Sequence, residues 1–167
     1  PSPGLQMLAP NAVTFAVWVN VKSNQGWQRV FDFGNTATTP LVYMFLTTNQ
    51  GTDTPSSVRF SITTMGNMME QVINMNTPAM LSTNAWHHIV IVLPAGATYT
   101  GTMYIDGVVA GTNNAMTMHP TTLGATANNY LGRSQWPDPY LNAYLDDFRI
   151  YRRALSAAEV TALYALR

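Results

Sequence analysis

The sequence predicts an all-β sandwich, and three observations carry that prediction. Apolar residues recur with a period of two along most of the 167-residue chain. About ten short strand-like runs follow one another between clusters of Gly, Asn, Asp and Pro, the spacing of a two-sheet sandwich. Asp106-Gly107 divides two such runs, and that pair tolerates the positive φ angles of a tight hairpin turn.

Val13 to Val21 (VTFAVWVNV) is rich in β-branched and aromatic residues and reads as the first strand. Gln28 to Phe33 (QRVFDF) follows and ends at the turn signal Gly34-Asn35. Leu41 to Thr47 and Val58 to Thr64 are the next strands, with Glu70 to Met75 a further candidate. His87 to Leu93 (HHIVIVL) is a continuous apolar run stopped by Pro94, as expected of a strand covered on both faces. Thr102 to Ile105 and Val108 to Ala110 form the hairpin, and Asn129 to Gly132 and Tyr144 to Tyr151 complete the strands. A helix is predicted from Ala157 to about Leu166. Ser156 and Glu159 have the spacing of a capping box, with Leu155 and Val160 placed as a hydrophobic staple. Without a linker, repeat or low-complexity tract, residues 1–167 read as a single domain.

Composition narrows the function. Only 10% of residues are charged, and eight basic side chains balance eight acidic ones. With no basic run, the electrostatic footprint of a nucleic-acid binder is missing. No apolar stretch approaches the roughly 20 residues of a membrane-spanning helix. Cysteine is absent, which excludes disulfides, thiolate nucleophiles and Cys-based zinc sites.

Catalytic constellations are scarce. Asp106 belongs to a turn, Glu159 to a helix cap and Asp53 to a polar loop. Asp32 and Glu70 could meet across a sheet as an acid/base pair, but nothing in their spacing requires it. Adjacent strand residues point to opposite faces, so His87 and His88 cannot grip one metal and are expected to seal the entry to a buried strand. The same alternation sets Asp146 and Asp147 on opposite faces. A buried Asp there needs a partner. Arg133 or Arg149 is the preferred one, and an oxygen-only Ca²⁺ site using Asp146 is the alternative. Met65, Met68 and Met69 lie beside a Gly-Asn turn, where thioethers fill gaps under loops or offer adaptable apolar contacts.

The aromatics carry the strongest functional signal. Trp18 and Trp86 sit inside strand patterns, as core residues do. Trp27, in NQGWQR, and Trp136, in SQWPDPY, lie in loops among amides and charged groups, and Pro137 and Pro139 exclude regular structure around the second. Sugars offer C–H patches that stack on such rings and hydroxyls that need polar partners at the rim. A ring in a loop can equally cap the sheet beneath it. The ligand-binding candidates are Trp136, Tyr140, Asn142, Gln135 and Asp138 from one loop and Trp27, Gln28 and Arg29 from another, with Glu70 and Gln71 as outer members.

The segments AWHHIVIVL, MYIDGVVAG and NNYLGRSQWPDPYLNAYLDDFRIYRRALSAAEV, in that order, resemble bacterial LamG-like jelly-roll domains of the concanavalin A-like lectin/glucanase superfamily. The resemblance implies two curved antiparallel sheets stacked as a jelly roll, and a non-catalytic module of a secreted or cell-surface protein, some of whose relatives carry Ca²⁺. It also implies an extracellular place and polysaccharide or glycan as partner, with a parent carbohydrate-active enzyme alongside. Near-zero net charge favours a neutral glycan. The opening PSPGLQMLAP departs from the family's extra first strand, so an exposed sheet edge is expected there. That edge motivates the alternative reading, a structural subunit of an extracellular filament, appendage or virion that pairs with neighbouring copies.

Overall fold

The computed structural model describes residues 12–35, 41–51, 56–76 and 79–167. The expectation of an exposed edge at residues 1–10 lies outside them, as does the loop position of Asp53. Ten strands, one α-helix and two short 3₁₀ turns (Asn67–Met69 and Pro120–Leu123) make up the regular structure of the described residues. In chain order the strands are β1 (Val13–Val21), β2 (Arg29–Asn35), β3 (Val42–Thr47), β4 (Arg59–Thr63), β5 (Gln71–Asn74), β6 (Trp86–Leu93), β7 (Tyr99–Ile105), β8 (Val108–Met116), β9 (Asn128–Leu131) and β10 (Ala143–Tyr151), followed by α1 (Ala157–Tyr164). They form two antiparallel five-stranded sheets, β10-β1-β6-β7-β8 and β5-β4-β3-β2-β9. This is the jelly-roll sandwich of the sequence reading.

Alternation within β1 explains why both of its faces are buried. Val13, Phe15, Val17, Val19 and Val21 enter the core between the sheets, while Thr14, Ala16, Trp18 and Asn20 point outward. β6 does the same, with Ile89, Ile91 and Leu93 inward and His88, Val90 and Val92 outward. Phe31 anchors the core from the other sheet, its ring centroid 5.0 Å from Phe33, 5.2 Å from Phe15 and 5.9 Å from Phe148.

The outward face of the first sheet is roofed by α1. Ala16, Val90, Val92 and Tyr104 pack under Leu155 and Val160, the two residues of the predicted staple. The capping box is formed: Glu159 N donates to Ser156 Oγ at 3.3 Å, and Ser156 N donates to Glu159 Oε2 at 2.8 Å. Arg153 and the two Ser156 donors hold the Glu159 carboxyl down to about 2. Trp18 is buried on this outer face rather than in the inter-sheet core, stacked on His88 at 4.9 Å and on Tyr164 at 5.6 Å. His87 lies between the Asp106 carboxylate and Ser82, with both partners 2.8 Å from its ring nitrogens.

One strand rule fails locally. Between Ala16 and Trp18 the β1–β10 register shifts, and Asp147 adopts a left-handed φ of 49°. This bulge re-aims Asp147, so that Asp146 and Asp147 line one hollow on the same outer face instead of opposite faces. Asp146 pairs with Arg167 at 3.2 Å and Asp147 with Arg149 at 2.9 Å, while Arg133 lies over the Tyr130 ring. Two guanidinium partners already neutralise the two carboxylates. Among the described residues no group of three or more His, Asp or Glu side chains gathers closely enough to hold a metal. Asp147 thus has the Arg149 partner that the sequence reading preferred, Asp146 has Arg167 instead, and both carboxylates are exposed rather than buried.

Candidate functional site

The outward face of the second sheet is covered by loops, and they leave a groove of about 560 Å³. Its floor comes from alternate residues of β2 and β3. Phe31, Phe33, Met44 and Leu46 face the core, so Asp32, Tyr43 and Phe45 point out. Arg29 precedes the bulge that offsets β2 from β3 and lays its guanidinium 3.8 Å from the centre of the Phe45 ring.

The segment from Gly132 to Asn142 folds back over this floor. Gly132 N donates to Val30 O at 3.0 Å and Leu141 N to Gly132 O at 2.9 Å, closing the loop at its base. Gln135 reaches underneath and donates to Asp32 twice, from Nε2 at 2.5 Å and from its backbone N at 3.2 Å. That approach requires Gly34, because a Cβ there would sit 2.7 Å from Gln135 Nε2. Gln28, itself buried, donates to Tyr140 O at 2.9 Å. So held, Trp136 sets its ring edge-on to Tyr43, with centroids 5.0 Å apart at 84°. The ring both caps the sheet and forms one wall of the groove.

Trp27 forms the other wall under a different constraint. Its φ is 64°, a left-handed conformation costly for a bulky side chain. The backbone is pinned by a 2.7 Å bond from Trp27 N to Asn49 O, and Gly51 lies flat against the ring. A Cβ at Gly51 would collide with the indole Nε1. The indole then meets Phe45 edge-on at 6.4 Å and the Arg29 guanidinium at 5.1 Å.

Charged groups line up along the floor. Asp32 is fully buried and Arg29 nearly so, with Nε 3.5 Å from Asp32 Oδ2 and Nη2 3.4 Å from Asp138 Oδ2. Both separations exceed a good hydrogen bond. Arg29 Nε and Nη1 have no hydrogen-bond partner, an uncommon state for a buried guanidinium. Loss of water lowers the Arg29 pKa and raises that of Asp32, and the mutual attraction of the two charges only partly offsets it. Further along, Glu70 accepts from Tyr43 OH at 2.5 Å and pairs with Arg59. Burial, followed by this bond to Glu70, raises the Tyr43 pKa.

Of the sequence candidates, Trp27, Arg29, Glu70, Trp136 and Asp138 line the groove together. Gln28 and Gln135 brace it from behind. Tyr140 projects into solvent, Asn142 bonds to Ser23 and Gln71 accepts from Thr117 N and Met118 N, so these three lie outside the lining. The sequence reading missed Leu41, Tyr43, Phe45, Asn67 and Pro137. The pattern VYMFLT could have nominated Tyr43 and Phe45, two rings on one strand face, once that face was known to be the outer one. Met65, Met68 and Met69 fill no gap: they stand exposed on the turn that carries Asn67 and Glu70, Met68 at 86%.

A jelly-roll sandwich with an aromatic groove on one outer face is the architecture of a lectin-like domain. The chain belongs to the concanavalin A-like lectin/glucanases superfamily, whose profile matches residues 2–161. Among curated proteins, none matches this sequence. Several solved structures share the fold. Domain 4 of AbnA, a GH43 extracellular arabinanase from Geobacillus stearothermophilus solved with arabinotriose, is 23% identical at a TM-score of 0.69, over 92% of this chain and 66% of that one. The CBM40 of a Ruminococcus gnavus IT-sialidase, solved with α2,3-sialyllactose, is 14% identical at 0.71, over 95% and 85%. The leech intramolecular trans-sialidase is 13% identical at 0.73, over 96% of this chain and 24% of its own. At these identities the likeness shows the fold, and the site must be argued from its own residues.

Proposed function

We propose that this chain is a non-catalytic carbohydrate-binding module that holds a neutral glycan between Trp27 and Trp136. One observation carries the reading. Two loop tryptophans, one in a strained backbone conformation, flank an open groove whose floor holds a buried guanidinium with unpartnered N–H donors. Strain and unsatisfied donors are costs that a fold has no structural reason to keep, and they concentrate at ligand sites.

The groove suits sugars chemically. Indole faces accept the C–H patches of a pyranose or furanose ring. A hydroxyl both donates and accepts, so it can take a hydrogen bond from Arg29 while giving one to Asp138. Two glycan-bound domains of this fold, the arabinanase domain and the sialidase module, support a glycan as ligand, and of their two ligands arabinotriose is the neutral one. The lectin-type fold supports a binding rather than catalytic role, because Asp32 is sealed and Glu70 is committed to Tyr43 and Arg59. The extracellular arabinanase and the trans-sialidase that carry this fold support an extracellular place for this chain, as part of a larger carbohydrate-active protein.

Affinity electrophoresis against arabinan, xylan, galactan and glucomannan, followed by calorimetry on the best, tests the reading. Retardation by at least one glycan, weakened about tenfold or more in both Trp27→Ala and Trp136→Ala, is expected. A chain that binds no glycan, or binds one equally well without either indole, would sink it.

A further inference from the structure

We infer that the groove excludes carboxylated sugars and that Asp138 is the residue that excludes them, an inference that rests on the glycan-binding reading. A buried arginine with free N–H groups would ordinarily attract a carboxylate, because the guanidinium fork matches carboxylate geometry. Here the order of charges along the groove decides otherwise. Arg29 lies at the bottom, its side chain 5% exposed, with fully buried Asp32 behind it. Asp138 stands in front at 24% exposure, with Oδ2 3.4 Å from Arg29 Nη2. The part of the ion cluster that meets solvent first is therefore a carboxylate.

Counting the faces makes the sign clear. The groove lining presents Glu70 and Asp138 against Arg29, one negative charge more than positive, with Asp32 and Arg59 set behind it. Asp138 is also fixed in place. Ser134 Oγ donates to it at 2.8 Å, and Pro137 and Pro139 stiffen the backbone on either side. An incoming carboxylate would have to displace Asp138 from Arg29 or sit beside it, and like charges in a partly desolvated cleft repel strongly. A hydroxyl meets no such barrier, since it accepts from the guanidinium and donates to Asp138. Asp138 thus acts by repulsion against the wrong ligand as well as attraction for the right one.

The test compares matched glycans that differ only in charge, polygalacturonate against its fully methyl-esterified form and glucuronoxylan against its carboxyl-reduced form. The neutral glycans from the electrophoresis panel are run alongside, with wild type, Asp138→Asn and Trp136→Ala. Asn keeps the size of the side chain and an oxygen for Ser134, and thermal melting confirms that the variant folds. The readout is the ratio of affinities within each pair. Wild type is expected to prefer the uncharged member by about tenfold or more. Asp138→Asn should shrink that preference about tenfold, with its gain on the charged member fading as salt rises. Equal binding of both members by wild type, or an unchanged ratio in Asp138→Asn, overturns the inference while leaving glycan binding intact if Trp136→Ala still abolishes it. Failure of wild type to bind any glycan overturns both.

Discussion

Both sheets bury their outer faces, and they do it in opposite ways. Over the first sheet, α1 lies flat and seals an aliphatic layer of Ala16, Val90, Val92, Leu155 and Val160. A satisfied capping box closes its first turn, and at its last turn the Trp18–His88–Tyr164 stack borders the smaller hollow that holds Asp146 and Asp147. Over the second sheet, loops arch rather than lie flat. They leave a groove, a left-handed tryptophan and a guanidinium with unpartnered donors. A regular element can saturate its own backbone bonds and present a continuous apolar stripe. Loops cannot, and the space they leave is where a ligand can enter.

If that contrast is right, mutations under the helix should cost stability alone. Leu155→Ala should show the largest effect, about 2–5 kcal/mol lost in urea denaturation, with glycan affinity unchanged. A change in affinity would mean that the two faces communicate. Gly51→Ala strikes the groove wall through the φ of 91° and the collision with the Trp27 indole. It should cost about 1–3 kcal/mol and weaken binding together. Trp136→Ala should lose about 1–2 kcal/mol, since its edge-on contact with Tyr43 is a true packing interaction, alongside a larger proportional loss of binding. Ser156→Ala removes one cap from the helix side and should cost about 1 kcal/mol, again silent in binding.

The smallest effects are the most diagnostic, because pH acts on the two faces with opposite sign. Burial raises Asp32 above its ordinary 3.8, so the folded state prefers the protonated form. Its contribution is fully present below the ordinary value and is lost as pH rises through the raised one. Burial lowers His88 below its ordinary 6.5. Its contribution is present above that value and is lost as pH falls through the lowered one. Denaturation midpoints followed from pH 7 downward, on the order of half a pH unit per step, should lose the first slope in Asp32→Asn and the second in His88→Phe. A variant that leaves its own slope unchanged refutes the assignment for that face.

Most elements were legible because their causes are local. Alternation placed β1 and β10, Asp106-Gly107 placed the β7–β8 hairpin, and Ser156 with Glu159 placed the start of α1. The boundary errors are physical, and the largest is β8, which runs to Met116 where the sequence reading stopped at Ala110. β7 begins at Tyr99 rather than Thr102, because pairing with β8 overrides the weak strand propensity of Gly101. The site was half legible. Trp27 and Trp136 stood out because a large ring in a loop is conspicuous in sequence, and Arg29 and Asp138 came with them as neighbours. Tyr43 and Phe45 were invisible as site residues, since a strand hydrophobic reads the same whichever face it takes.

What the sequence determined by itself was therefore the set of elements and the identity of the loop aromatics, because hydrogen-bonding patterns and turn chemistry act over a few residues. Only the tertiary structure decided which face of β3 turned outward, which bulge brought Asp146 and Asp147 to one side, and how Arg29 came to lie between two indoles. Those outcomes depend on register between strands far apart in the chain. A shift of one residue in that register reverses every side chain, and the local pattern carries no record of the partner that sets it.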